Sequence, residues 1–408
     1  MKILTLAGGY DQIALIEELK ARGHQVLLAD YLENPVAKPY ADCHHRISTL
    51  DEGAVFSLAK REKVDLVTTA CTDQALLTAA NVSERLGLPF YLSSRKALEI
   101  TDKRYMKDKM AANGIPTAKY VVFEDRGTWK SHIEEAGRFP LVVKPCDCNS
   151  SKGVTRVNTE KELADGVERA FDLSRSGKVI AEEFVEGEEI SIDAWIDGEG
   201  EKILSVTGTS KMRENADGFT IYQSKYPFRG MEGIRGQLEA IVKKIAATFE
   251  LSHCPLLVQA LVRGDEVSVI EFSARMGGGT KYKLIEYVSG IPIMEKYVDR
   301  ILGDSAQVLH PTWSEKKMEL NYVYAYNGTV TKVTGLEELK EQGVIKEFFQ
   351  YQSVGSVIRK RTTSSDRVFG FLLAEEDEET LRKTRKYVLD RVDVLDGDRS
   401  ILYKGCFQ

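Results

Sequence analysis

The sequence predicts a mixed protein, α/β followed by α+β, in three parts, and three observations carry that prediction. Over residues 1–95, apolar β-type runs alternate with amphipathic helical stretches, the pattern of a parallel sheet with helices on its faces. Beyond Pro116 the apolar period drops to two in short runs that read as antiparallel strands, so residues 96–305 form an α+β domain. After about residue 305 the composition changes again, and residues 306–408 read as a smaller α+β domain.

In chain order, KILTLAGG is the first strand, a helix runs through Ala21, QVLLAD is the second strand, DLVTTA follows, and a further helix precedes GLPFYL. Gly8 and Gly9 stand where a Rossmann turn would, but the full G-x-G-x-x-G is missing, and a tight strand-to-helix turn explains both glycines. Asp30 ends the second strand, where an acidic residue meets a ribose in dinucleotide-binding folds; without the fingerprint it carries no such role. TDKRYMKDKMAANG is a lysine-rich helix with Asp102 near its start and Asn113-Gly114 as its stop. FPLVVKP, KVIAEEFV, EEISIDAWID, KILSVTGTS and VSVIEFSAR are strands, interrupted by helices around 159–174 and 231–250. NYVYAYNGTVTKV reads as a hairpin turning at Asn327-Gly328, and 375–392 as an exposed helix, acidic first and basic later.

Composition narrows the function. The 408 residues are 43% hydrophobic and 29% charged, with no apolar run near the roughly 20 residues that span a bilayer, so no membrane partner is expected. The 56 Lys and Arg against 62 Asp and Glu include no long basic block, which argues against nucleic acid. MKILTLAGG is too short an apolar run for a signal peptide, and six cysteines without C-x-x-C suit reduced thiols, so a cytoplasmic protein is expected. Cys146 and Cys148 form a lone C-x-C, and no H-E-x-x-H supports a zinc hydrolase.

Four stretches could carry chemistry. On VSVIEFSARMGGGTKYKL (267–284), strand alternation aims Glu271, Ser273 and Arg275 at one face: a hard-cation ligand, a hydroxyl and an oxyanion partner, or else a solvated strand face. Gly277, Gly278 and Gly279 would expose N–H donors to a substrate carboxylate, or serve a close loop crossing. In KPCDCNSSKGV, Lys144 ends a strand before a loop whose Ser150, Ser151, Lys152 and Gly153 could cover phosphates, or simply turn a hairpin. AEEFVEGEEISIDAW crowds Glu182, Glu183 and Glu189 around Val185; the acids are solvated, or the linker meets an adenine edge and a ribose. Asp73, at a predicted strand end, is either a helix N-cap or a contact for a substrate ammonium. Lys211 and Arg213, in TSKMRENADGFTIYQSKYP, are possible carboxylate contacts or part of a solvated loop.

Taken in order, Lys103, Lys144, the Ser/Lys/Gly loop, the EEFVEGEE hinge and the Q…E-x-S-x-R run resemble the ATP-grasp superfamily, in particular its carboxylate-amine ligases: L-amino acid ligases and the carbamoyl phosphate synthetase large subunit. The resemblance implies a Rossmann-like pre-ATP-grasp domain, a central ATP-grasp domain with a nucleotide lid over about 115–185, and a small C-terminal domain. It implies ATP with Mg²⁺, or Mn²⁺, as cofactors. Lys103 and Lys144 would meet the phosphates, Glu182, Glu183 and Val185 the adenine side, and Glu189 the ribose. Gln259, Glu271 and Ser273 would face the metal, although the family commonly has Asn at the position of Ser273 and an acid at that of Gln259. Arg275 and Lys144 would be catalytic, in an ADP-forming ligation of a small carboxylate to an amine through an acyl phosphate. Dimers are common among the resembling enzymes. A bicarbonate-using carbamoyl phosphate synthetase or carboxylase, and a non-catalytic ATP-binding regulatory module, remain open as alternatives.

Overall fold

The computed structural model describes residues 1–127, 129–212, 219–304, 307–308, 310–359 and 363–407. Its first sheet is parallel with strand order β3-β2-β1-β4, from β1 (Lys2–Leu6), β2 (Gln25–Asp30), β3 (Cys43–Arg46) and β4 (Leu66–Thr68). Helices α1 (Asp11–Ala21), α2 (Glu52–Glu62) and α3 (Asp73–Leu86) connect and follow these strands. The order reverses between β1 and β4. The turns after these two strands therefore share the carboxyl edge where open α/β sheets bind ligands, and they carry Asp11 and Asp73. Asp30 serves the fold: its carboxylate accepts the N–H groups of Gly8 and Leu32, each at 2.7 Å.

The first sheet departs from expectation twice. GLPFYL forms no strand: Pro89 lacks an N–H, and the hydroxyl of Tyr91 donates instead to the carbonyl of Ala274 at 2.9 Å. The third strand, CHHR, has no apolar alternation because it lies at the sheet edge, where none of its four residues is fully buried.

Helices α4 (Ser94–Thr101) and α5 (Lys103–Ala112) lead into a four-stranded antiparallel sheet of order β5-β8-β6-β7. It contains β5 (Tyr120–Phe123), β6 (Leu141–Pro145), β7 (Thr155–Val157) and β8 (Val179–Glu183), backed by the helix Glu160–Leu173. The chain then builds a nine-stranded sheet from β9 (Glu188–Asp197), β10 (Gly200–Lys211), β11 (Ile221–Tyr226), β12 (Cys254–Arg263), β13 (Glu266–Ser273) and β14 (Lys317–Ala325). Its order is β13-β12-β9-β10-β11-β14, continued by Phe369–Glu375 and Glu347–Gln350, while Leu402–Tyr403 pairs with β14. The helix Met231–Thr248 packs its apolar stripe, including Ile234, Leu238 and Ile245, against Ile192, Val258 and Phe272 of this sheet.

The hairpin expected at Asn327-Gly328 does not form. Tyr324 and Ala325, the end of β14 nearest the turn, pair with Leu402–Tyr403, and the rest of the strand lies between β11 and Phe369–Glu375, so the next segment does not fold back on it. Gly328–Thr329 pairs with Val357–Ile358 instead, and Lys332–Thr334 pairs with Asp393–Asp396. The late helix spans Glu378–Leu389, its first turn fixed by Asp377, which accepts the N–H of Thr380. No helix among the described residues is long and apolar enough to cross a membrane.

Leu238 is fully buried between helix and sheet, so Leu238→Ala should cost about 2–5 kcal/mol of unfolding free energy. Val357, 60% exposed, should lose less than about 0.5 kcal/mol on the same change. Urea unfolding of both variants measures the contrast, and equal losses would contradict this placement of the core.

Candidate active site

The edge of the nine-stranded sheet, the start of α5 and the first turn of α3 meet in one cleft, lined by Asp73, Lys103, Asn149, Gln259, Glu271, Ser273 and Arg275. The register explains how β13 contributes. Gln259 pairs with Glu271 but Ala260 with Val269, so Ile270 is an extra residue, and this bulge sets the direction of Glu271. Asp102 caps α5 by accepting the N–H of Arg104, which presents Lys103 in the first helical turn. The ammonium of Lys103 lies 3.3 Å from Glu271 Oε2 and donates to the carbonyl of Cys148 at 2.7 Å.

Asp73 closes the cleft from the first sheet. Arg275 Nε donates to its Oδ1 at 2.7 Å and Nη2 to its Oδ2, Ser273 Oγ donates to Oδ1, and Asn149 Nδ2 donates to Oδ2 at 3.1 Å. Burial pushes the Asp73 carboxyl up, but Arg275 more than reverses this and holds it below its ordinary range. For Arg275 the same pair outweighs the cost of burial and secures its charge. At Lys103, burial is likewise overcome by Glu271, which holds the ammonium above its ordinary range.

A second cluster joins the four-stranded sheet to α5. Glu182, on β8, receives Lys144 at 2.7 Å on one oxygen and Lys107 at 3.1 Å on the other. Burial raises the Glu182 carboxyl, and the two lysines together bring it below its ordinary value. Lys107 is the most deeply buried of these lysines, 1% exposed, and desolvation lowers it from 10.5 to about 8 despite Glu182. Glu183, next along β8, points the other way and packs beside Gly137. Val185 lies half-buried in the linker from β8 to β9.

The loop between β6 and β7 is a hairpin connection, with Ser150, Ser151 and Gly153 at positive φ and Lys152 exposed. Ser151 Oγ donates to the carbonyl of Phe219. Glu189, on β9, pairs with Lys211 and accepts from Gln259 Nε2 at 3.3 Å. Arg213 lies outside the described residues.

The triple glycine turns beneath the cleft. The N–H groups of Gly279 and Thr280 donate to Asp11, at 3.1 and 2.6 Å, so these donors face a carboxylate of the chain itself. Gly279 has φ +72°, and a side chain there would collide with the guanidinium of Arg367, which stacks 3.7 Å over the Tyr322 ring. Gly277 packs against Lys281 and Asp193, and Gly278 approaches the carbonyl of Cys71.

Glu271, Gln259 and Ser273 offer a carboxylate, an amide and a hydroxyl in one cleft. This all-oxygen set fits a hard cation such as Mg²⁺ that keeps part of its shell for water and phosphate. Gln259 gives its NH₂ to Glu189, which leaves its amide oxygen as the end suited to a cation.

Of the residues expected from sequence, Asp73, Lys103, Gln259, Glu271, Ser273 and Arg275 come together in this cleft. Lys144 and Glu182 pair beside it, and Glu189 joins through Gln259. Glu183 and Lys152 do not converge with them. Sequence reading missed Lys107, Asn149, Asp11 and Arg367. Lys107 alone had a local signal, lying one helical turn from Lys103 on the same face.

Residues 101–280 match the family described as phosphoribosylglycinamide synthetase, ATP-grasp (A) domain. The chain is 24% identical over 376 residues to phosphoribosylamine–glycine ligase of Halalkalibacterium halodurans, covering 86% of this chain and 84% of that protein. In fold it is similar to L-amino acid ligase from Bacillus licheniformis, with a TM-score of 0.79, 21% identity and coverage of 97% and 99% of the two chains. Phosphoribosylglycinamide synthetase from Anaerococcus prevotii gives a TM-score of 0.73 at 19% identity, with the same coverage.

The Lys107 ammonium sets a pH dependence of stability. Between pH 8 and 10.5 the unfolded chain keeps this proton and the folded chain does not, so Lys107 favours folding increasingly as pH rises through that window. The urea midpoint of the wild type, relative to that of Lys107→Met, should therefore rise from pH 8 to 10.5; a constant difference would contradict it.

Proposed function

We propose that the chain is an ADP-forming ligase of the ATP-grasp kind, which activates an amino-acid-type carboxylate with ATP and joins it to an amine; the match of residues 101–280 to an ATP-grasp domain and the likeness to phosphoribosylamine–glycine ligase support this. The observation that carries this reading is the convergence of Lys103, Glu271, Gln259, Ser273 and Arg275 in one cleft. A carboxylate resists attack because it is negatively charged and hydroxide leaves poorly. Phosphorylation to an acyl phosphate removes both obstacles.

Lys103 and Lys144 offset the charge of the nucleotide phosphates, and Arg275 stabilises first the transferring phosphoryl group and then the tetrahedral intermediate. Glu182 and Val185 border the adenine, and Glu189 takes the ribose hydroxyls. Glu271, with Gln259 and Ser273, would hold Mg²⁺ or Mn²⁺, which would supply charge neutralisation to the nucleotide phosphates when bound. The residues named do positioning and electrostatic work, so the mechanism assigns no general base. The likeness in fold to an L-amino acid ligase supports an amino-acid-type substrate. Six free cysteines suit a cytoplasmic setting.

ADP release by purified protein with Mg-ATP, across amino acids, dipeptides and bicarbonate, tests this reading, with Glu271→Gln as the blank. Stimulation by an amino-acid pair that vanishes in the variant is expected. Stimulation by bicarbonate alone would move the enzyme to carbamoyl phosphate or carboxylation chemistry. ATP binding without turnover on any substrate would make it a regulatory module. Arg275→Ala should keep ATP affinity within about threefold while lowering kcat by about 10²–10³. Equal loss of binding and turnover would remove Arg275 from the transition state.

A further inference from the structure

Lys107 has no part in the reaction as described, yet it is among the largest side chains to be completely buried. A buried ammonium is costly unless its surroundings use it. Its contacts lie at the joint where the four-stranded sheet leaves and rejoins the rest of the molecule. On the outgoing chain, Val269 N–H donates to the carbonyl of Pro116 at 2.8 Å, and Thr117 Oγ1 donates to the carbonyl of Val269 at 2.7 Å. On the returning chain, β8 ends at Glu183, one residue beyond Glu182. Lys107 Nζ touches both, at 2.6 Å from Thr117 Oγ1 and 3.1 Å from Glu182 Oε2.

The two lysines on Glu182 differ in how they are held. Lys107 is on α5, which is fixed to the β6–β7 loop at its start by the N–H of Lys103 donating to the carbonyl of Cys146 at 2.9 Å. Lys107 is bound on two sides. Lys144 belongs to β6 within the four-stranded sheet, and among the described residues its ion pair is with Glu182 alone. The charges around Lys107 are Glu182 on β8, Lys144 on β6 and Glu271 on β13. If Lys144 moved alone onto a phosphate, Glu182 would be left as a buried carboxylate without a partner, were Lys107 not there.

We propose that Lys107 is the fixed counter-ion of Glu182, a positioning residue that frees Lys144 to move onto the nucleotide phosphates and ties both ends of the four-stranded sheet to α5 as it does so. This rests on the reading of the cleft as an ATP site. In Lys107→Met, Lys144 becomes the only cation on Glu182 and is retained there, so the KM for ATP should rise by about tenfold or more, with kcat at saturating ATP changing less. Neutralising the partner as well removes the need for a counter-ion. The Lys107→Met/Glu182→Gln double variant should therefore bind a non-hydrolysable ATP analogue more tightly than Lys107→Met does, which a purely structural role for Lys107 would not produce.

Calorimetric titration of the analogue into wild type and both variants, each first checked for cooperative unfolding, is the measurement. Wild-type affinity in Lys107→Met, or a double variant no tighter than the single one, would overturn the proposal while leaving the ATP reading intact. Should Lys107→Met not fold, the double variant against Glu182→Gln alone decides: equal affinity supports the proposal, and a further tenfold loss overturns it. A wild type that binds no analogue would overturn the ATP reading together with this one.

Discussion

The cleft depends on one constraint: cations buried close together must be neutralised by carboxylates of the chain itself. Lys103, Lys107, Lys144 and Arg275 are all strongly buried, and each is matched to a carboxylate of the chain, Glu271, Glu182 or Asp73. Buried ions without partners cost several kcal/mol, roughly the size of a domain's whole stability margin, so these pairings are conditions for folding as much as for chemistry. Each pair is complete within the chain. The arrangement is preorganised because it is already satisfied.

The same constraint accounts for where the parts meet. Asp73 comes from the turn after β4, Arg275 and Ser273 from the end of β13, and Asn149 from the loop after β6, and one carboxylate holds all three. Beneath it, Asp11 from the turn after β1 takes two N–H groups of the triple-glycine turn, and Arg367 from the last third of the chain presses on Gly279. The position of the glycine turn is thus set by the first sheet on one side and by the C-terminal residues on the other.

How much of this could be read from sequence follows from how local each feature is. Period-two alternation made the strands of the central sheet visible, and the face shared by Glu271 and Ser273 follows from that same period. Lys103 and Lys144 were recognisable because the order of the short motifs around them is itself a signal. The hairpin at Asn327-Gly328 was a sound local inference defeated by a long-range one, since β14 already had neighbours on both flanks. Lys107 had only its place one turn from Lys103 to mark it, because a lysine-rich helix reads as solvated and the burial of its ammonium beside Glu182 of β8 is a long-range contact. Asp11 and Arg367 reach the glycine turn across more than 260 and nearly 90 residues of chain, and no pattern within a short window encodes such contacts.

The insertion of β14 beside β11 has a consequence for how the molecule must be assembled. Ser224 and Lys225 of β11 pair with Leu320 and Glu319, so the backbone of β11 is satisfied by a strand made almost a hundred residues later. Until residues 317–325 are in place, the chain up to β13 carries an open strand edge, the kind of surface that pairs with other molecules. Residues 317–325 are thereby a seal on the sheet that carries Gln259 and Glu271, and during synthesis the ribosome releases that seal well after the strand it covers.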